Sequence, residues 1–372
     1  MTASGSSVLS DPALARRAAR FPTLDLARFV AAVLVVFFHW CFLFNIADAS
    51  VHYKPWLEFE PYARYGYLGV NLFFLISGFL IVQSAHLKTP LHFLGARITR
   101  LYPAYLACCA LTYTVVILIA AQPISAASLA YNMTMMNGVI DSFRGVPATY
   151  VDGVYWTLVI EWKFYALMFL LIALGQLARV ERFLWLWLLA CLAYAIHPMR
   201  WLDTYLITAW GAYFVAGAAF FRACVGGWTR SRAGLVLISL GLCIAQAWQF
   251  AAELSVVHGK PFSALVIACL ITSFFLFFFA LTYRKSFTPR VVSPWVVALG
   301  ALSYPIYLLH QQIGAIVIQR YWSISNRYIL LILLFVALVA MAALVHFGIE
   351  RRTWAALRAH KAVALAAGRE IQ

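Results

Sequence analysis

The stretch LDLARFVAAVLVVFFHW, Leu24 to Trp40, decides the fold class. Its length and apolar content match a helix that crosses a bilayer, which needs about 20 predominantly apolar residues. It also carries Asp25, Arg28 and His39, ionisable groups that are costly in lipid and mark function where they occur. Arg28 and His39 are eleven residues apart. At about 100° and 1.5 Å per residue they fall within about 20° of each other and about 16 Å apart along the axis. Asp25 lies about 40° from His39 on the same arithmetic. The three groups form one stripe, which should face protein and not lipid.

The rest of the chain agrees with that reading. Of its 372 residues 64% are hydrophobic and only 11% charged, with a mean hydropathy of +0.85. A soluble domain of this length needs more polar surface, so an all-α, polytopic integral membrane protein is expected. A β-barrel is excluded, because alternating segments of about ten residues are absent. Ten spans are expected: 24–44, 68–85, 101–121, 154–174, 183–196, 203–222, 234–251, 262–282, 295–318 and 327–348. The fifth is the shortest. They divide the chain into an N-terminal tail (1–23), one membrane domain (24–350) and a C-terminal tail (351–372).

Lysine and arginine set the orientation. With the N-terminus inside, inner segments hold 19 of them and outer segments 7, leaving Arg28 and Lys163 within spans. Both tails are then cytoplasmic. The net charge of +15 is scattered in short clusters between apolar runs, which points to topology and not to nucleic acid. The seven cysteines show no metal-ligand spacing and read as buried small residues, so no metal is expected.

Four further stretches carry polar groups in apolar context. In GYLGVNLFFLISGFLI, Gly66 to Ile81, Asn71 and Ser77 interrupt an aromatic run, and Gly78 lets another helix come close. In RITRLYPAY, Arg97 to Tyr105, Arg97 and Arg100 are spaced i, i+3 and would share a helix face able to grip one phosphate. In VYWTLVIEWKFYALMF, Val154 to Phe169, Glu161 enters about 10 Å from the outer end of its span. That depth matches His39, so the carboxylate is a candidate to orient the imidazole. In GALSYPIYLLHQQ, Gly300 to Gln312, Ser303, Tyr307 and His310 fall on one stripe in the outer half of the membrane. Each pattern alone also fits helix packing or snorkelling charge.

Taken together and in this order, the arginine–histidine spacing of the first span, GVNLFFLISGFL, RITRLYP, WTLVIEWKFY and LSYPIYLLH resemble acyltransferase family 3, the membrane O-acyltransferases. The resemblance covers Leu24 to Glu350. It implies a multi-pass enzyme of the bacterial inner membrane that moves an acyl group, usually acetyl, from cytoplasmic acyl-CoA to a hydroxyl of a surface or exported glycan or glycolipid. By that resemblance His39 is the essential catalytic residue, with Arg28 its partner in the signature and Asp25 beside it. Arg97, Arg100 and Tyr102 would contact coenzyme A. Asn71, Ser77, Trp156, Tyr307 and His310 would bind the acceptor. The chain departs from the family where many relatives have Asp for Asn71 and Glu-Glu-Gln for Glu161-Trp162-Lys163, and where a closing Glu-X-Pro reads Glu350-Arg351-Arg352.

The mechanism expected is general-base catalysis by His39, oriented by Glu161, and nothing in the sequence selects direct transfer over a covalent acyl-histidine relay. Two other classes compete. A transporter or flippase also places ionisable groups within spans, and a helical protein without chemistry uses polar groups only as glue. The sequence carries no code for the acceptor in loops 45–67 and 122–153, nor for the oligomeric state.

Overall fold

The computed structural model describes residues 21–43, 56, 58–86, 89–120, 124–135, 150–283, 293–323 and 325–359. The expected tails, 1–23 and 351–372, lie mostly outside the described residues, as do much of loops 45–67 and 122–153.

Among the described residues there is no strand, and ten long helices carry the chain. They are α1 (Pro22–Cys41), α2 (Leu68–Ala85), α3 (Pro90–Val115), α4 (Trp156–Ala173) and α5 (Val180–Ile196), followed by α6 (Gly211–Gly226), α7 (Arg230–His258), α8 (Ala264–Tyr283), α9 (Pro294–Tyr321) and α10 (Arg327–Val345). The protein is an all-α, multi-pass membrane protein. Among the described residues nine helical stretches are long and apolar enough to cross a membrane by length and composition. The tenth long helix, α5, has 17 residues that rise about 26 Å, the lower end of what a span needs.

The ends of the helices follow local chemistry. Thr229 caps α7 by accepting from Arg232 N, and Gly259 ends it in the left-handed region at φ +62°, which glycine adopts without strain. Asp152 caps the 3₁₀ turn Gly153–Tyr155 that leads into α4, accepting from Val154 N. α3 and α10 both run on as π turns, Val116–Ala120 and His346–Glu350.

The chain divides into two compact units. One takes Met1–Val35, Tyr65–Leu94 and Ile160–Gly300; the other takes Val36–Arg64, Gly95–Val159 and Ala301–Gln372.

The first unit is built on the pairing of α2 with α6. A Cβ at Gly217 would run into the Leu75 carbonyl, and one at Gly78 into the Phe214 carbonyl. The two backbones therefore cross in contact, as small residues permit in helices that gain nothing from burying apolar surface against each other in lipid. Phe74, Phe214, Phe164 and Trp187 close around this crossing with ring centroids 4.5 to 5.7 Å apart. In the same unit Glu181 of α5 accepts from Arg232 Nη2 (2.6 Å) and Nε (2.9 Å) of α7 and from Arg222 Nε (3.1 Å) of α6. Three helices are thus tied by one carboxylate.

The second unit gathers the last turns of α1, most of α3, the first turn of α4, most of α9, and α10. Trp40 of α1 lies on Gly314 of α9, where a Cβ would meet the indole, and its Nε1 donates to the His310 carbonyl at 2.8 Å. Trp354, beyond the π turn of α10, donates to the Thr99 carbonyl of α3 at 2.8 Å.

Candidate functional site

α1 presents its faces as the stripe requires. Leu26, Val30 and Leu34 are exposed. By helical arithmetic they lie on the side opposite His39, and His39 itself is 9% exposed. Asp25 and Arg28 are half-buried, and within the first unit Asp25 lies against Gly300, at the head of α9, where a Cβ would touch its side chain.

His39 sits in the second unit, beside His310. Its Nδ1 is 3.0 Å from Nε2 of His310, and the two rings meet edge-on with centroids 4.8 Å apart and planes inclined by 64°. His310 is fully buried. Its Nδ1 donates to the Tyr307 carbonyl one turn back, at 2.7 Å.

Further hydrogen bonds fix the segment that carries His310. The Tyr307 hydroxyl pairs with Thr157 Oγ1 at 2.9 Å. Asp152 accepts from Val154 N at 3.1 Å through one oxygen and from Gln312 N of α9 at 3.0 Å through the other. It is wholly buried, and burial pushes its carboxyl up to about 7 against the lowering effect of those two N–H donors. Asn132 anchors the residue before it, accepting from Val151 N at 3.0 Å, while its own carbonyl accepts from the Tyr105 hydroxyl of α3 at 2.6 Å.

The remaining expected residues divide between the units. Arg97 is buried at 8% exposure whereas Arg100 is exposed, so the i, i+3 pair does not present two equivalent guanidinium groups. The Tyr102 hydroxyl donates to the Thr134 carbonyl at 2.7 Å. Trp156 is half-buried at the start of α4. In the first unit Asn71 Nδ2 donates to the Tyr213 hydroxyl at 2.6 Å, which in turn donates to the Cys243 carbonyl at 2.8 Å. Asn71 Oδ1 is buried and meets no donor among the described residues. Glu161 Oε1 accepts from Tyr165 at 2.5 Å and Ser77 at 3.1 Å.

At His39 Nδ1 the structure brings in His310, a residue expected to bind the acceptor. Glu161 has its hydrogen bonds with Ser77 and Tyr165 inside the first unit. Asp152, Asn132 and Thr157 were not foreseen. Asp152 had a legible signal, an Asp-Gly step just before an apolar run; the other two had none. Among the described residues no three His, Cys, Asp or Glu side chains gather as a metal site.

Chemically, the arrangement offers a buried pair of imidazoles joined nitrogen to nitrogen. No curated protein and no solved structure matches the chain. The family profile of an acyltransferase domain matches residues 21–351. With nearly the whole membrane region covered, the chain belongs to acyltransferase family 3, and it is a membrane protein of an acyl-transferring class.

Proposed function

We propose that the protein is an O-acyltransferase of the bacterial inner membrane that takes acetyl from cytoplasmic acetyl-CoA and places it on a hydroxyl of a surface or exported glycan or glycolipid. Both termini are cytoplasmic in this reading, as the lysine and arginine distribution favours. The observation that carries the reading is His39: a buried imidazole whose Nδ1 is engaged by a second ring, in the helix that bears the family's arginine–histidine spacing.

His39 acts as general base. As the acceptor oxygen bonds to the thioester carbonyl carbon, its proton passes to His39 Nε2. When the tetrahedral intermediate collapses, the C–S bond breaks and the departing sulfur takes that proton, leaving an ester and free coenzyme A. General-base help of this kind contributes about 10²–10⁴ in rate. Arg97 and Arg100 on α3 are assigned to the phosphates of coenzyme A, which a guanidinium matches well. Tyr102 lies beside them in the chain. Arg28, Tyr307 and Trp156 are assigned to the acceptor or the developing oxyanion. Asn71, whose buried amide oxygen meets no donor among the described residues, is assigned to the acceptor too, as is Ser77. Glu161 keeps Ser77 and Tyr165 in place.

The experiment uses His39→Ala in the full chain. Purified in lipid nanodiscs, it should insert and melt like the parent but turn over labelled acetyl-CoA about 10²–10⁴ times more slowly. Undiminished turnover sinks the assignment. A parent protein that never cleaves acetyl-CoA, with or without envelope glycan, sinks the enzyme reading in favour of a transporter.

A further inference from the structure

We infer that His310 is a positioning residue: it holds His39 in the tautomer whose proton sits on Nδ1, so that Nε2 carries the lone pair.

Three groups in a chain fix the protons. A backbone carbonyl can only accept, so the Tyr307 carbonyl, 2.7 Å from His310 Nδ1, requires a proton on that nitrogen. A ring buried away from water stays neutral unless a counter-charge accompanies it, and the hydrogen-bonding neighbours of His310 are the backbone of Tyr307 and Ile306 and another imidazole. Its Nε2 is therefore an acceptor. The 3.0 Å separation from His39 Nδ1 then needs one proton between the nitrogens, and only His39 can supply it. In the neutral His39 ring the lone pair consequently lies on Nε2.

This direction is built into α9. The Trp40 indole donates to the His310 carbonyl and lies on Gly314, a turn further along. Asp152 pins Gln312 N two residues away, and Tyr307, whose carbonyl starts the chain, is tied to Thr157. The His310 ring is thus aimed by contacts before, at and after its own position. A group that bound acceptor would instead need a polar atom turned to substrate, and both ring nitrogens of His310 are engaged with protein. When His39 takes up a proton, its Nδ1–H remains directed at His310 Nε2, and that bond becomes charge-assisted. The inference deepens the proposed function and rests on His39 being the base.

The test is spectroscopic first and kinetic second. Full-length protein is labelled with ¹⁵N-histidine, held in nanodiscs, and the His39 signals are assigned by their disappearance in His39→Gln. Two replacements of His310 are compared. His310→Gln puts a carbonyl oxygen near the place of Nε2 and can still accept; His310→Leu cannot.

The parent and His310→Gln should show His39 protonated on Nδ1 and bare on Nε2. His310→Leu should move His39 toward the Nε2–H form. Its kcat for acetyl-CoA should fall about 10–100-fold, the scale seen when a partner that orients a functional histidine is removed. KM should stay within about twofold, and His310→Gln should recover most of the rate.

Unchanged His39 nitrogen shifts in His310→Leu overturn the inference. So does an Nε2–H signal in the parent or in His310→Gln, which keeps the test alive if the leucine variant does not insert. If the shifts behave as expected while His39→Ala still transfers acetyl, the tautomer assignment stands and the role of His39 as base falls.

Discussion

Glu181 in the first unit and His39 in the second are both polar groups set in apolar surroundings, and they are satisfied in opposite ways. Glu181 accepts from two guanidinium groups, and Arg232 adds a bond to the Gly227 carbonyl at 2.5 Å. An arginine does not release its proton in a protein, so this cluster holds fixed charges and has nothing to transfer. At His39 and His310 a single proton lies between two rings, and an imidazole, unlike a guanidinium, can pass a proton on. The difference separates a polar cluster that joins helices from one able to do chemistry. What gives the second cluster its chemistry is the mobility of the proton.

The comparison can be broken at its structural side first. Gly217→Ala should be the most damaging, since its methyl meets the Leu75 carbonyl and the backbone of Phe79 and Gly78, none of which is a flexible side chain. Overpacking typically costs about 1–3 kcal/mol and more where backbone must move, so the variant should melt far below the parent or fail to accumulate in membranes.

Glu181→Gln should come next. Removing one partner from a buried ion pair costs about 3–5 kcal/mol, and a surface pair about 0–1 kcal/mol. With Glu181 26% exposed, a loss of about 1–3 kcal/mol is expected, read as a drop in melting temperature. Turnover per folded molecule should not change. If instead its pH–rate profile shifted, the division between fixed and mobile charge would collapse.

The effect that is smallest at neutral pH belongs to Asp152→Asn and is a change of slope. The folded carboxyl titrates at about 7, above the ordinary value of about 4. Between those values the native state keeps a proton that the unfolded chain has released, so stability is fullest below about pH 4 and declines as pH rises through 7. Melting curves of the parent should fall between pH 5 and 8 by the equivalent of about 2–3 kcal/mol, and those of Asp152→Asn should be flatter. A parental curve that rises over this interval contradicts the assignment.

Much of the fold is legible in the sequence, because a membrane helix has to satisfy its own backbone within one apolar run. The stripe on α1 follows from periodicity alone, and the exposed Leu26, Val30 and Leu34 lie on the side it leaves for lipid. The close approach at Gly78 was likewise readable, though not its counterpart Gly217. α5 shows the limit of counting: its expected run, 183–196, is shorter than the 17-residue helix the structure forms there.

The candidate site was less legible. Depth along a helix is readable by counting residues, and it set Glu161, His39 and His310 at comparable levels. Azimuth between helices is not readable, because it depends on packing. The two histidines that meet are 271 residues apart, and no periodic pattern links them. Asp152 joins Val154 to Gln312, 160 residues further on, and only its short-range half could be anticipated from capping chemistry.

The π turn at His346–Glu350 has a consequence for numbering. Such a turn takes in one residue more than an α turn, so everything beyond it is rotated by about 100° relative to an uninterrupted helix. That rotation sets the phase of Trp354, whose indole reaches the Thr99 carbonyl, in the helix of Arg97 and Arg100. The end of α10 is therefore indexed to α3 by a count of residues. Substitutions in the turn leave the count intact, whereas loss or gain of a single residue between Val345 and Trp354 carries the indole off its target.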